Sequence, residues 1–167
     1  MNLADLPSKS RVFVDANVIA LHMIQQGDLA DACTAFLLRL RKDQIQAFTS
    51  VMVVAEVTHR VMVGEAIERL GLAPREAVQY LKEHPNLVMA LDKHLIVPSK
   101  IYQMGISIEP VSYVELHGSR LIRREYGLLT NDSLVVAVMQ KLKVVHLATN
   151  DPDFERVKGI KVWKPLG

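Results

Sequence analysis

The stretch Arg11-Val12-Phe13-Val14-Asp15-Ala16-Asn17-Val18 decides how the chain is read. Val12, Phe13 and Val14 form a short apolar run of β-branched and aromatic residues, the pattern of a strand buried on both faces, and the run ends on a carboxylate. Three further acids stand in comparable settings. Glu56 lies in Val51-Met52-Val53-Val54-Ala55-Glu56-Val57, Asp132 precedes Ser133-Leu134-Val135-Val136-Ala137, and Asp151 follows Val144-Val145-His146-Leu147-Ala148-Thr149-Asn150. A carboxylate flanked by so much apolar sequence is costly to desolvate unless it is paired, hydrogen-bonded or bound to a cation. A fold that gathers these acids would make a metal site.

Working outward from that stretch, Asn17 reads as the cap of a first helix, and a second helix runs from Asp28 to Lys42 with Leu29, Ala32, Cys33, Phe36, Leu37 and Leu40 at spacings of three and four. Ile45 to Thr49 reads as a strand, and Ser50 caps a helix carrying Glu56 toward Gly64 or Leu70. Between Pro74 and Pro110 two helical pieces, Pro74 to Glu83 and Leu91 to Gln103, are separated by the break His84-Pro85-Asn86. Then come a strand Ile106 to Glu109, a helix from Ser112 or Tyr113 to Tyr126, a helix opened by Thr130 or Asn131, a buried strand Val144 to Thr149, and an edge strand Ile160 to Trp163. Strands alternating with helices over the whole length predict an α/β domain with a central, mainly parallel sheet flanked by helices. In such sheets ligand sites form at the carboxyl ends of the strands, which is where Asp15 and Asp151 fall.

Composition narrows the class. With 167 residues, half of them apolar, the expectation is one domain spanning residues 1–167. The net charge of +2 does not by itself indicate nucleic acid, but from Arg120 onward nine Lys or Arg face five acids, leaving +4 there and −2 upstream. One cysteine, Cys33, excludes a disulfide framework within the chain and a cysteine-rich zinc site. The six histidines show no zinc-motif spacing, and no hydroxyl residue has a neighbouring histidine–acid pair to make it a nucleophile. Met1 to Pro7 lacks a basic region followed by an apolar run, and no stretch approaches the roughly 18–20 apolar residues that cross a bilayer, so a cytoplasmic protein with no membrane contact is expected.

Taken together, Val12-Phe13-Val14-Asp15-Ala16-Asn17-Val18, Ala55-Glu56-Val57, Leu129-Thr130-Asn131-Asp132-Ser133-Leu134 and Leu147-Ala148-Thr149-Asn150-Asp151-Pro152-Asp153-Phe154 resemble, in their order, the PIN-domain family, in particular its VapC-type toxin ribonucleases. Two departures stand out: the long stretch from about Leu70 to Ser112, and Ser133 where many members carry a small apolar residue. The resemblance implies a metal-dependent endoribonuclease, the toxin of a toxin–antitoxin pair, acting as a homodimer on RNA and bound by an antitoxin protein. It implies Asp15, Glu56, Asp132 and Asp151 as catalytic carboxylates and metal ligands, directly or through water. Asn17 would orient Asp15 or the phosphate, and Thr149 would hydrogen-bond a carboxylate.

The residue types support that chemistry independently. Clustered carboxylates suit hard ions such as Mg²⁺ or Mn²⁺, which would offset the acids' repulsion, activate water and stabilise charge on phosphate oxygens. Asp153 either replaces or supplements Asp151 as the outermost ligand or caps the turn at Pro152. Glu56 also has Arg60 at the four-residue spacing of an intrahelical ion pair. Arg120, Arg123 and Arg124 share one helix and offer either an RNA-binding face or a solvated one. The apolar residues of the Asp28–Lys42 helix and around Val57, Val61 and Met62 serve the core or, at some positions, a dimer or antitoxin surface. Two other readings remain open: a housekeeping RNA-processing nuclease of the same fold, and a module that binds RNA or protein without cleaving. An aspartyl-phosphate phosphatase is disfavoured because Asp15-Ala16-Asn17 lacks a second aspartate.

Overall fold

The computed structural model describes residues 1–25 and 27–166. Strands β1 (Arg11–Val14), β2 (Gln46–Ser50), β3 (Ile106–Glu109), β4 (His146–Ala148) and β5 (Lys161–Trp163) form a five-stranded sheet in the order β3-β2-β1-β4-β5. Every neighbouring pair is parallel, so the expected mainly parallel sheet is parallel throughout. β1 sits at its centre, with Phe13 in register with Phe48 on one side and Leu147 on the other. Val12, Phe13 and Val14 have no exposed surface, as a run apolar on both faces requires.

Helices cover both faces: α1 (Ala16–Ile24), α2 (Ala30–Lys42), α3 (Val51–Leu70), α4 (Pro74–Glu83), α5 (Pro85–Ala90), α6 (Val97–Gln103), α7 (Tyr113–Tyr126) and α8 (Thr130–Leu142). Their ends are set by local chemistry. Ser50 caps α3 by accepting from the Val53 amide, and Gly71, at φ +63, ends it. α7 opens with a reciprocal capping box between Ser112 and Glu115. Among the described residues, no helix is long and apolar enough to cross a membrane.

Several boundaries differ from the sequence reading: α2 starts at Ala30 rather than Asp28, β2 runs Gln46–Ser50 rather than Ile45 to Thr49, β5 starts at Lys161 rather than Ile160, and α5 begins inside the expected break at His84-Pro85-Asn86. Three further differences bear more directly on the packing. The cap of α1 is Asp15, not Asn17, because the Asp15 backbone is extended and its carboxylate reaches the Ala16 amide at 2.7 Å. The piece from Leu91 to Gln103 is divided: Leu91 is extended, Lys93–Ile96 is a 3-10 turn, and α6 starts only at Val97. Pro98 explains this, since inside a continuous helix it would clash with the carbonyl four residues back, whereas in the first turn its missing N–H costs nothing. β4 is also shorter than Val144 to Thr149, the residues on either side serving as connections.

The long stretch after α3 is a helical flank docked on that helix. Glu65 is buried, accepts the Lys93 and Asp92 amides at 2.9 and 3.3 Å, and pairs with Arg69 at 3.0 Å. Ala66, Leu81 and Leu91 form a small second apolar cluster beside it.

The order of the strands positions everything that follows. From β1 the chain moves outward through β2 and β3, then returns to build β4 and β5 on the other side. Connections therefore diverge at the carboxyl ends of β1 and β4, which opens a crevice between them.

Candidate active site

Asp15 stands at that crevice, immediately after β1 and 9 % exposed. One carboxylate oxygen accepts the Ala16 amide, and the other accepts the Asn17 amide group at 2.6 Å and the Thr149 hydroxyl at 2.7 Å. Thr149, just past β4, is the hub of this network. While donating to Asp15, its hydroxyl oxygen accepts from the Asn17 side chain at 2.8 Å and from the Asp151 amide at 3.1 Å. The Asn17 carbonyl in turn accepts the Asn150 amide at 2.9 Å, so the ends of β1 and β4 are laced together around one carboxylate. Burial pushes the Asp15 carboxyl up to about 6, against the pull of its bonds to Thr149 and Ala16, and the nearby Glu56 charge adds to the rise.

The other acids arrive from separate elements. Glu56 projects from the second turn of α3 and pairs with Arg60 at 2.6 Å. Asp132 lies in the first turn of α8, where the helix dipole favours negative charge. Asp151 follows β4 and accepts the Asp153 amide at 2.8 Å. These four acids, with Asn17, Ser50, Asn131 and Arg60 among their neighbours, line one small cavity of about 50 Å³. The Asp132 carboxyl is raised above its ordinary range, first by burial and then by the charges of Asp151, Asp153 and Glu56.

Asp153 has a partner of its own. It pairs with Arg156 at 2.5 Å, and Asp151 is the member of the two that lines the cavity. The three arginines of α7 do not share one environment either. Arg120 and Arg124 are exposed, whereas Arg123 is half-buried and donates to the hydroxyls of Ser119 at 2.8 Å and Ser133 at 3.2 Å. Ser133 therefore anchors Arg123 to α8.

A second cavity, which the sequence does not announce, adjoins the first. About 680 Å³ in volume, it runs between α1 (Ala20, Leu21, Ile24) and α3 (His59, Val63, Gly64, Ile67), with Val78 of α4 on its outer side. Asn17 and Arg60 line both cavities. Arg60 was legible as a partner of Glu56, but its position between two cavities follows from how α1 packs on α3, which spacing alone does not encode.

The polar cavity offers carboxylate oxygens from four places in the chain, a donor set suited to a hard divalent cation and unsuited to soft metals. Among the described residues, no three acidic, histidine or cysteine side chains stand close enough to enclose an ion by themselves.

The sequence matches the PIN domain family over residues 12–160. It is 22 % identical to "Ribonuclease VapC2" of Methanocaldococcus jannaschii over 157 residues, covering 92 % of this chain and 93 % of the relative. Solved structures share the fold. VapBC2 from Rickettsia felis, bound to a DNA fragment from its promoter, aligns with a TM-score of 0.57 at 16 % identity, covering 92 % of this chain and 98 % of that one. VapC20 of Mycobacterium tuberculosis, a Sarcin-Ricin loop cleaving toxin, aligns with a TM-score of 0.56 at 18 % identity, covering 86 % and 92 %. A toxin–antitoxin complex from Klebsiella pneumoniae gives 0.53 at 20 %, covering 93 % and 98 %. With a parallel sheet that switches direction at β1, acids at that switch, and a family match spanning nearly all of the chain, this protein belongs to the PIN domain family.

Proposed function

We propose that this protein is a divalent-metal-dependent endoribonuclease, the toxin of a toxin–antitoxin pair, with Asp15, Glu56, Asp132 and Asp151 as its catalytic carboxylates. The observation carrying this reading is that four acids from distant parts of the chain line one cavity at the switch point of the sheet. The similarity to VapC2 ribonuclease and to VapC toxins supports the substrate class.

Asp15, Glu56, Asp132 and Asp151 would hold Mg²⁺ or Mn²⁺, with water completing the shell, as Mg²⁺ in particular retains several waters. Such an ion, when bound, supplies Lewis-acid stabilisation of the phosphate and a more acidic water. The chain does the rest. Thr149 and Asn17 fix the orientation of Asp15, while Asp15 and Asp132, whose carboxyls are raised first by burial and further by neighbouring acid charges, are acids that a cation would stabilise in their ionised form. Asp153 stays with Arg156 and orders the turn behind Asp151. Arg120 and Arg124, exposed on α7, contact RNA phosphates; Arg123 supports them by fixing α7 to α8.

The partners follow from the same reading. An antitoxin lays an apolar segment in the groove between α1 and α3. A homodimer buries the exposed Val114 and Leu121 of α7. The compartment is the cytoplasm. Purified protein should cut RNA internally in Mg²⁺ or Mn²⁺ and stop when the ion is chelated. Undiminished cleavage in chelator would refute the metal-dependent reading, and failure to cut any RNA in either ion would refute the nuclease.

A further inference from the structure

We propose that Arg60 is a resident counter-cation of the acid cavity, which holds Glu56 while no ion is bound and must release it for an ion to be held there. The inference rests on the metal-dependent reading and goes beyond it by giving one residue a gating role.

Four carboxylates line the cavity, and Arg60 is the one Lys or Arg among the residues lining it. The acids are also held differently. Asp15 is fixed by three donors from Ala16, Asn17 and Thr149, and Asp151 by the Asp153 amide. Glu56 is instead held by a cation, through the 2.6 Å contact with the Arg60 guanidinium. An i,i+4 pair on an ordinary exposed helix face only adds a little helix stability. Here the glutamate also faces Asp15 and Asp132, both of whose carboxyls register its charge, and the guanidinium is near enough to Asp15 to favour its ionised form.

Arg60 has somewhere to go. Its side chain is 47 % exposed and also borders the apolar groove, beside Asn17, His59 and Asn150. Leaving Glu56 therefore strands no buried guanidinium, so the cost of release is low. An ion taking Glu56 frees the guanidinium at the boundary of the two cavities, where its planar fork can meet a phosphate in bidentate fashion. Ion and RNA backbone then reach the crevice through one side chain: the ion takes Arg60's partner, and the phosphate takes Arg60.

Mn²⁺ binding to the intact protein, without RNA, tests this through the electron paramagnetic resonance signal of free Mn²⁺. Arg60→Gln should bind Mn²⁺ at least about threefold more tightly than the unsubstituted protein, with Arg60→Lys between the two. In a Glu56→Gln background the same Arg60→Gln change should alter Mn²⁺ affinity less than about twofold, because the competition is gone. Unchanged or weaker binding in Arg60→Gln would overturn the proposal. So would an equal gain in both backgrounds, which would mark a long-range field effect with no competition for Glu56. Binding that is lost in Asp132→Asn but indifferent to Arg60 would overturn the inference and leave the metal site standing; no binding to the unsubstituted protein would overturn both.

Discussion

The two cavities that share Asn17 and Arg60 are built from opposite materials. The one at the ends of β1 and β4 is small, about 50 Å³, because Thr149, Asn17 and backbone amides close around Asp15 and leave little more than the faces of four acids. The one between α1 and α3 is about 680 Å³ and mainly carbon-lined, because Ala20 and Gly64 hold side-chain volume back where the helices meet. The first concentrates carboxylates where burial makes charge costly, and the second leaves apolar surface uncovered. The chain thus keeps two cavities of opposite chemistry side by side and joins them through two side chains.

The largest effect should come from the polar cavity alone. Asp15→Asn or Asp132→Asn should lower RNA cleavage at least about 100-fold, consistent with losing several kcal/mol of barrier lowering, while the circular dichroism spectrum stays unchanged. Full activity in either folded variant would break the distinction between the cavities. The groove should respond to a different change. A Cβ at Gly64 would meet the Ile24 side chain at 3.6 Å, an ordinary contact, so Gly64→Ala keeps the helix and narrows the groove. Binding of the proposed antitoxin should weaken severalfold, as when an interface anchor is obstructed, with RNA cleavage within about twofold of the original. Lost cleavage with intact antitoxin binding would invert the assignment.

A smaller effect separates the arginines. Arg120→Ala with Arg124→Ala should weaken binding to many RNA sequences and flatten the salt dependence, each lost single-strand phosphate contact removing a slope of about 0.7. Arg123→Ala should instead lower stability by about 1–3 kcal/mol through its lost bonds to Ser119 and Ser133, measured by denaturant unfolding. An unchanged salt slope in the double variant would make Arg120 and Arg124 a solvated face.

The sheet and the acids were legible because both are written locally. A buried parallel strand needs a continuous apolar run, and an acid closing such a run marks a carboxyl end, so Arg11 to Asp15 announces both. The limits of α7 were nearly as plain: the sequence reading runs it from Ser112 or Tyr113 to Tyr126, and the structure gives Tyr113–Tyr126 with Gly127 as its C-cap. The split at Pro98 was missed because the apolar pattern continues through the proline while the backbone cannot. The groove was unreadable for a deeper reason. Ala20, Ile24, Val63 and Ile67 carry the same periodic pattern whether a core or a vacancy lies beside them, and only the packing of α1 on α3 decides which. Asn17 was read as a cap, but the cap is Asp15; the amide of Asn17 serves Thr149 across 132 positions of sequence.

Burial of Asp15 predicts a modest pH effect. The Asp15 carboxyl sits near 6 in the fold against an ordinary 3.8, so the folded state holds a proton that the unfolded chain has released. That contribution to stability is full below about pH 4 and lost as pH rises through about 6. In chelator, the unsubstituted protein should therefore lose more melting temperature than Asp15→Asn between about pH 4 and pH 6.5, the window of that carboxyl. Parallel melting curves for the two proteins would show that Asp15 is not the strained acid.

Convergence of the four carboxylates on one cation is tested most directly by thermal melts with and without Mn²⁺, which require no knowledge of the RNA. The unsubstituted protein should gain melting temperature with rising Mn²⁺, since an ion that binds only the folded state stabilises it by mass action. Asp132→Asn should melt at the same temperature or higher in chelator, where a like charge has been removed, and should gain less from Mn²⁺. Equal Mn²⁺-induced shifts in the two proteins would contradict the account, because they would mean that Asp132 takes no part in holding the ion.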